Sequence, residues 1–348
     1  MAVEIFKKQF VEANLAKASF SFEALRKSLS TLTPNKKGKS FLSYDLVETD
    51  IIQHSKEAII RNLCLHPILI ERPNIDVETL RNFYEFMQDN TFSESRLAQC
   101  FYLLHGSKSD YSSFELSAAI LEIQNYFSNF STIDTNVNTT QYDFLTDLTF
   151  IFHKTIQGSN VQKIINEKID EIVFKNDQFD YNQVKLVYFN SNIDCVDGFS
   201  GRNTVYINLN PLLRFNNFKI NEKKKNIALK LSFLSLIIHE ISHNVLRFKL
   251  KDLNISSPFL VGINDKDIKK NISECGYEIE IQFFKHIINW PASANDINTE
   301  YCENYLDNIL DDNYVEIDIN EARLLTIALE NVPKMGFKYH LIRHSYRL

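Results

Sequence analysis

The stretch LIIHEISHNVL, residues 236–246, holds two histidines four residues apart, His239 and His243, with Glu240 directly after the first. On a helix, residues at i and i+4 project from one face about one turn apart, so both imidazoles reach a single metal ion. Glu240 is rotated beside them, where a carboxylate takes a proton from water. The competing reading is one turn of an ordinary buried helix, since the preceding LSFLSLII is apolar on most sides. Burial itself favours chemistry, because an unpaired buried carboxylate is costly without a metal, water or a cationic partner.

The arrangement is the HExxH pattern of zinc metallopeptidases, in which zinc activates water and the glutamate shuttles protons. A catalytic zinc keeps three protein ligands and one open position. The metzincin extension needs a histidine six residues past His243, and that position is Lys249, which excludes the group. NISECGYEIEIQFF, 271–284, resembles the ligand helix of gluzincins, where a glutamate supplies the third ligand and an acidic residue one turn later supports a ligand histidine. By that resemblance Glu274 is the third ligand and Glu278 the supporting carboxylate, with Glu278 and Glu280 as reserve ligands. The residues also permit a plain solvent-facing helix: Asp267, Asn271, Glu274, Glu278 and Lys285 form a polar stripe opposite Ile272, Gly276, Ile279 and Phe283. Gly276 costs helix propensity about 1 kcal/mol relative to alanine, and so marks a close helix contact.

Two other segments bear on the site. TVYINLN, 204–210, precedes the metal helix where zincins place the edge strand that pairs with a substrate backbone; as an edge, Val205 to Asn208 supply main-chain hydrogen bonds. An ordinary internal strand is equally compatible. Near the C-terminus, GFKYHLIRHSYRL gathers Tyr339, His340, Arg343, His344 and Tyr346, either a basic solvated tail or the source of an oxyanion donor as in gluzincins. His54, His66, His105, His153 and His286 are isolated and read as packing or surface residues.

Positioning these groups falls to a mainly helical chain. Only 8 glycines and 7 prolines punctuate 348 residues. Apolar residues recur at 3–4 residue spacing through 1–127, which reads as a helical region, with Asp76 a candidate cap before VETL. A Ser-, Thr- and Asn-rich stretch, 128–143, marks a loop or boundary. From 144 to 348 the resemblance implies a zincin-like domain, and the pattern reads as helices to about 174, strands in QVKLVYFN and NTVYINLN with turn residues DCVDGFSGRN between them, then the metal helix and helices over 266–288, 300–310 and 318–331. The expected class is α+β, mainly helical, with a small sheet and an HExxH helix.

A net charge of −6 leaves no global basic field for nucleic acid. No apolar run approaches the ~20 residues of a membrane span, and the N-terminus lacks a signal-peptide core. Five scattered cysteines without a CxxC pair suggest reduced thiols, so a cytoplasmic protein is expected, unglycosylated at the NIS sequon of Asn271. The reading is a Zn2+-dependent peptidase acting on peptide or protein substrates. Its alternatives are an inactive zincin-fold scaffold and a helical interaction module in which HEISH is accidental. The sequence sets no oligomeric state.

Overall fold

A computed structural model describes residues 1–30, 42–64, 76–107, 130–173, 177–191, 193, 196–255, 275–328 and 338–339. The class is α+β and mostly helical. Two compact units are formed, 1–134 together with 251–256, and 135–250 together with 257–348.

In the first unit, α1 (Ala2–Leu15) ends before Lys17, whose φ of 51° breaks the helix, and α2 (Phe22–Ser30) follows. Then come α3 (Glu48–Cys64), α4 (Val77–Gln88) and α5 (Glu94–Gly106). Asp76 caps α4 by accepting from the Thr79 amide, and Ser93 caps α5 through Arg96. The core is aromatic: Phe83 meets Phe6 and Phe130 edge-on at 5.4 and 5.6 Å between centroids. The chain returns here after residue 250, where Leu253 donates its amide to the Leu42 carbonyl and Asn62 donates to Asn254. Composition gives no sign of that return.

In the second unit, α6 (Asp143–Gln157) and α7 (Ser159–Val173) lead into β1 (Lys185–Phe189), β2 (Val196–Ser200) and β3 (Thr204–Asn208). Next come α8 (Leu209–Asn216), α9 (Glu222–Leu250) and α10 (Cys275–Phe284). The described chain closes with β4 (Ile287–Ile288), α11 (Trp290–Ser293), α12 (Thr299–Leu310), α13 (Ile319–Ala322), β5 (Thr326–Ile327) and β6 (Lys338–Tyr339). At 29 residues, α9 spans about 44 Å, and its buried residues extend from Lys225 to Lys249. It is the axis of a single core that also takes in Leu148, Ile165, Ile207, Ile279 and Phe283.

The larger sheet runs β1-β3-β2-β6, with β1 parallel and β2 antiparallel to β3. Three expectations change. The residues 194–203 do not form one long turn: Val196–Ser200 is strand β2, and the hairpin closes through Gly201, Arg202 and Asn203, with Asn203 at φ 50°. Gly198 belongs there because a Cβ would lie 2.7 Å from the Tyr206 carbonyl. Second, β3 is internal, bonded on both sides and buried throughout, so Val205 to Asn208 are already satisfied and offer no edge. Third, the helices expected over 266–288 and 318–331 are shorter where described: Lys285 and Arg323, at φ 63° and 57°, end them, and β4 and β5 pair beyond.

Among the described residues no helix is long and apolar enough to cross a membrane. Cys100, Cys275 and Cys302 are buried and form no disulfide among the described residues.

Candidate metal centre

Successive turns of α9 face different neighbours, and this sorts the HExxH residues. Leu236 lies 3.5 Å from the position of a Cβ on Gly198, Asn244 donates to the Thr204 carbonyl, and Arg247 donates to the Ser200 carbonyl at 3.0 Å and to its hydroxyl. That stripe faces the sheet. Glu240 sits in it, one turn after Leu236 and one before Asn244. Ser235 and His239, also one turn apart, face α10 instead.

On α10 the contact is close. A Cβ on Gly276 would fall 2.5 Å from the Nδ1, Cγ and Cε1 atoms of His239, so only glycine lets the helices approach this far. One turn on, Glu280 Oε1 lies 2.7 Å from His239 Nδ1, and Ser235 donates its hydroxyl to Oε2 of the same carboxylate. An ionised Glu280 only accepts, which places the proton on Nδ1 and makes Nε2 the nitrogen through which His239 would bind a metal. The Tyr277 ring meets the His239 ring edge-on at 4.8 Å. His239, His243, Glu240 and Glu280 are all nearly inaccessible to solvent.

The His239 and His243 rings are 5.0 Å apart, close enough to converge on one ion. Beside them Glu240 Oε1 is buried with no hydrogen-bond partner among the described residues, and Asn244 Oδ1 one turn away is in the same position. Orphaned buried acceptors call for a donor or a cation. Together with an imidazole whose Nδ1 is held, they fit a zinc ion and its water. Among the described residues no three His, Cys, Asp or Glu side chains form a metal-holding group. Glu274 lies outside the described residues, as do His340, Arg343, His344 and Tyr346.

Glu278 does not support His239. It is about a third exposed, with Oε2 4.0 Å from Lys168 on α7, because two residues rotate a helix by about 200° and Glu280 holds the face toward α9. Ser235, Tyr277, Asn244 and the orienting role of Glu280 were not read from the sequence. The available signal was spacing: Ser235 precedes His239 by one turn, and Glu280 follows Gly276 by one turn. His105 stacks on Phe101 in the first unit, and His153 lies against Phe152, as packing and surface residues do.

No family model, curated protein or solved structure matches this chain.

Proposed function

We propose that this protein is a zinc-dependent peptidase of zincin type, with His239 and His243 as metal ligands, Glu240 as general base and Glu274 as the third ligand. The observation that carries the reading is the Glu280–His239 hydrogen bond: it fixes one ligand tautomer beside a buried glutamate whose Oε1 has no partner. A helix serving only the core has no use for either feature, since each sets a polar group among apolar neighbours. Zinc, when bound, lowers the pKa of water and polarises a substrate carbonyl. Glu240 takes a proton from water as it attacks the peptide carbon and delivers it to the departing nitrogen as the C–N bond breaks; the second water proton follows, so the products are a carboxylate and an ammonium. His239, held by Glu280 and through it by Ser235, keeps its ring orientation throughout. Among the described residues Cys100, Cys275 and Cys302 are buried outside any disulfide, which suits a cytoplasmic setting.

Zinc content and hydrolysis of a peptide library, measured on wild type and Glu240→Gln, test this. One zinc per chain in both proteins, with hydrolysis falling at least about 100-fold in the variant, is expected. Wild type without zinc overturns the site. Zinc without hydrolysis in wild type leaves a scaffold and overturns the peptidase.

A further inference from the structure

Asn244 follows His243 directly and lies one turn after Glu240, on the stripe of α9 that faces the sheet. Its side chain is fully buried. The amide nitrogen donates to the Thr204 carbonyl at 3.2 Å and to the Glu240 backbone carbonyl at 3.4 Å. The Thr204 carbonyl also accepts from the Gly201 amide, so Asn244 is clamped to the turn of the β2–β3 hairpin, where Arg247 is bonded to Ser200. These two contacts fix which way the amide points, because turning it over would set Oδ1 against two carbonyl oxygens.

The clamp uses only the nitrogen. Asn244 Oδ1 is sealed from solvent and accepts from no group among the described residues, and Glu240 Oε1 stands in the same condition one turn earlier. Side chains four residues apart on a helix are neighbours, and each leans toward the preceding turn, which sets the Asn244 amide over Glu240. Neither oxygen serves the other, since an ionised carboxylate and an amide oxygen both only accept. A side chain that merely tied helix to hairpin would leave its oxygen buried at the cost of a lost hydrogen bond. Both oxygens call for one donor with two hydrogens, and water is the smallest that supplies them.

We propose that Asn244 is a positioning residue for Glu240: the two share one internal water, which donates one hydrogen to Glu240 Oε1 and the other to Asn244 Oδ1 and so fixes the plane of the carboxylate. The terminal torsion of a glutamate has only a broad preference and sets no plane by itself. Held through Oε1, Glu240 keeps its other oxygen for the water that reacts. That use of the held carboxylate rests on the peptidase reading; the shared water does not.

The test uses the full chain. A crystal structure of wild type as purified is expected to show a water within about 3.2 Å of both oxygens. A protein donor on either oxygen, or no water between them, overturns the proposal. This measurement needs no substitution, so it decides the matter even where a variant fails to fold. Asn244→Leu, close in volume and unable to accept, is compared with wild type for zinc content and for kcat and KM on a peptide that the wild type cleaves. Zinc content equal to wild type, KM within about two-fold and kcat lowered at least about 10-fold are expected, since misplacing a catalytic group by about 1 Å costs on the order of 100-fold. A kcat within about two-fold of wild type, or a change confined to KM, overturns the positioning role. Wild type that holds the water and cleaves no peptide sustains the link between Asn244 and Glu240 and removes the peptidase; cleavage without a shared water does the reverse.

Discussion

Glu280 and His239 meet across two helices, carboxylate oxygen to Nδ1 at 2.7 Å, with both side chains no more than 2% exposed. The pair is possible because Gly276, one turn before Glu280, leaves space for the imidazole. It divides the acidic residues of α10 into one that reaches the site and one, Glu278, that faces Lys168.

Glu280→Ala removes the acceptor that fixes the His239 tautomer and strands the Ser235 hydroxyl. Zinc affinity, measured by competition with a chromophoric chelator, is expected to fall 10–100-fold. Glu278→Ala is expected to stay within about two-fold of wild type, since exposed ion pairs contribute little. Equal losses in the two variants count against the assigned geometry.

Gly276→Ala places a methyl group inside the His239 ring contact. Either the ring turns or α10 moves away, and overpacking of this kind costs about 1–3 kcal/mol, more than the helix propensity gained from alanine. A lowered Tm together with weaker zinc binding is expected, measured by thermal unfolding with and without added zinc. A stabilised protein with unchanged zinc affinity contradicts the close approach.

His239→Ala and His243→Ala each leave too few ligands, so both are expected to lose stoichiometric zinc on dialysis. Glu274→Gln is expected to lose metal first and activity as a consequence, because a neutral amide is a poor zinc ligand. Metal analysis of the three proteins checks this, and zinc retained at wild-type affinity in Glu274→Gln moves the third ligand elsewhere.

Asp312 caps α7 from the far side of α12, accepting from the Ser159 hydroxyl and from the Asn160 amide at 2.9 Å. The Ser159 hydrogen bond, foremost, and those from Asn160 outweigh the opposing effect of burial and hold its pKa below the usual carboxylate value. A depressed folded-state pKa contributes stability that is present above the unfolded pKa near 4 and is lost as pH falls through the folded value. Asp312→Asn is expected to cost about 0.5–1 kcal/mol at pH 7, the lower half of the range for a helix cap because the group is partly exposed. In thermal melts the difference from wild type narrows between pH 5 and 3; a constant difference argues against the cap's charge.

The sequence determined the helical character of the chain, the Asp76 cap and the strands in QVKLVYFN and NTVYINLN, because these depend on local periodicity and on side chains bonding their own backbone. It also placed His239, Glu240 and His243 on one helix, since spacing of three and four residues is a property of the helix alone, and it marked Gly276 as a close contact. It did not reveal which carboxylate meets His239: Glu278 and Glu280 are both acidic and near in sequence, and only the approach of α10 to α9 turns one inward and leaves the other to Lys168. Nor did it tell an internal β3 from an edge. Gly198 reads as a turn residue locally, and the partner that makes it a strand residue, the carbonyl of Tyr206, is set by sheet pairing. The left-handed backbone at Lys17, Lys285 and Arg323 likewise ends helices where side-chain propensity allows them to continue, because packing of the following segment decides the direction of the chain.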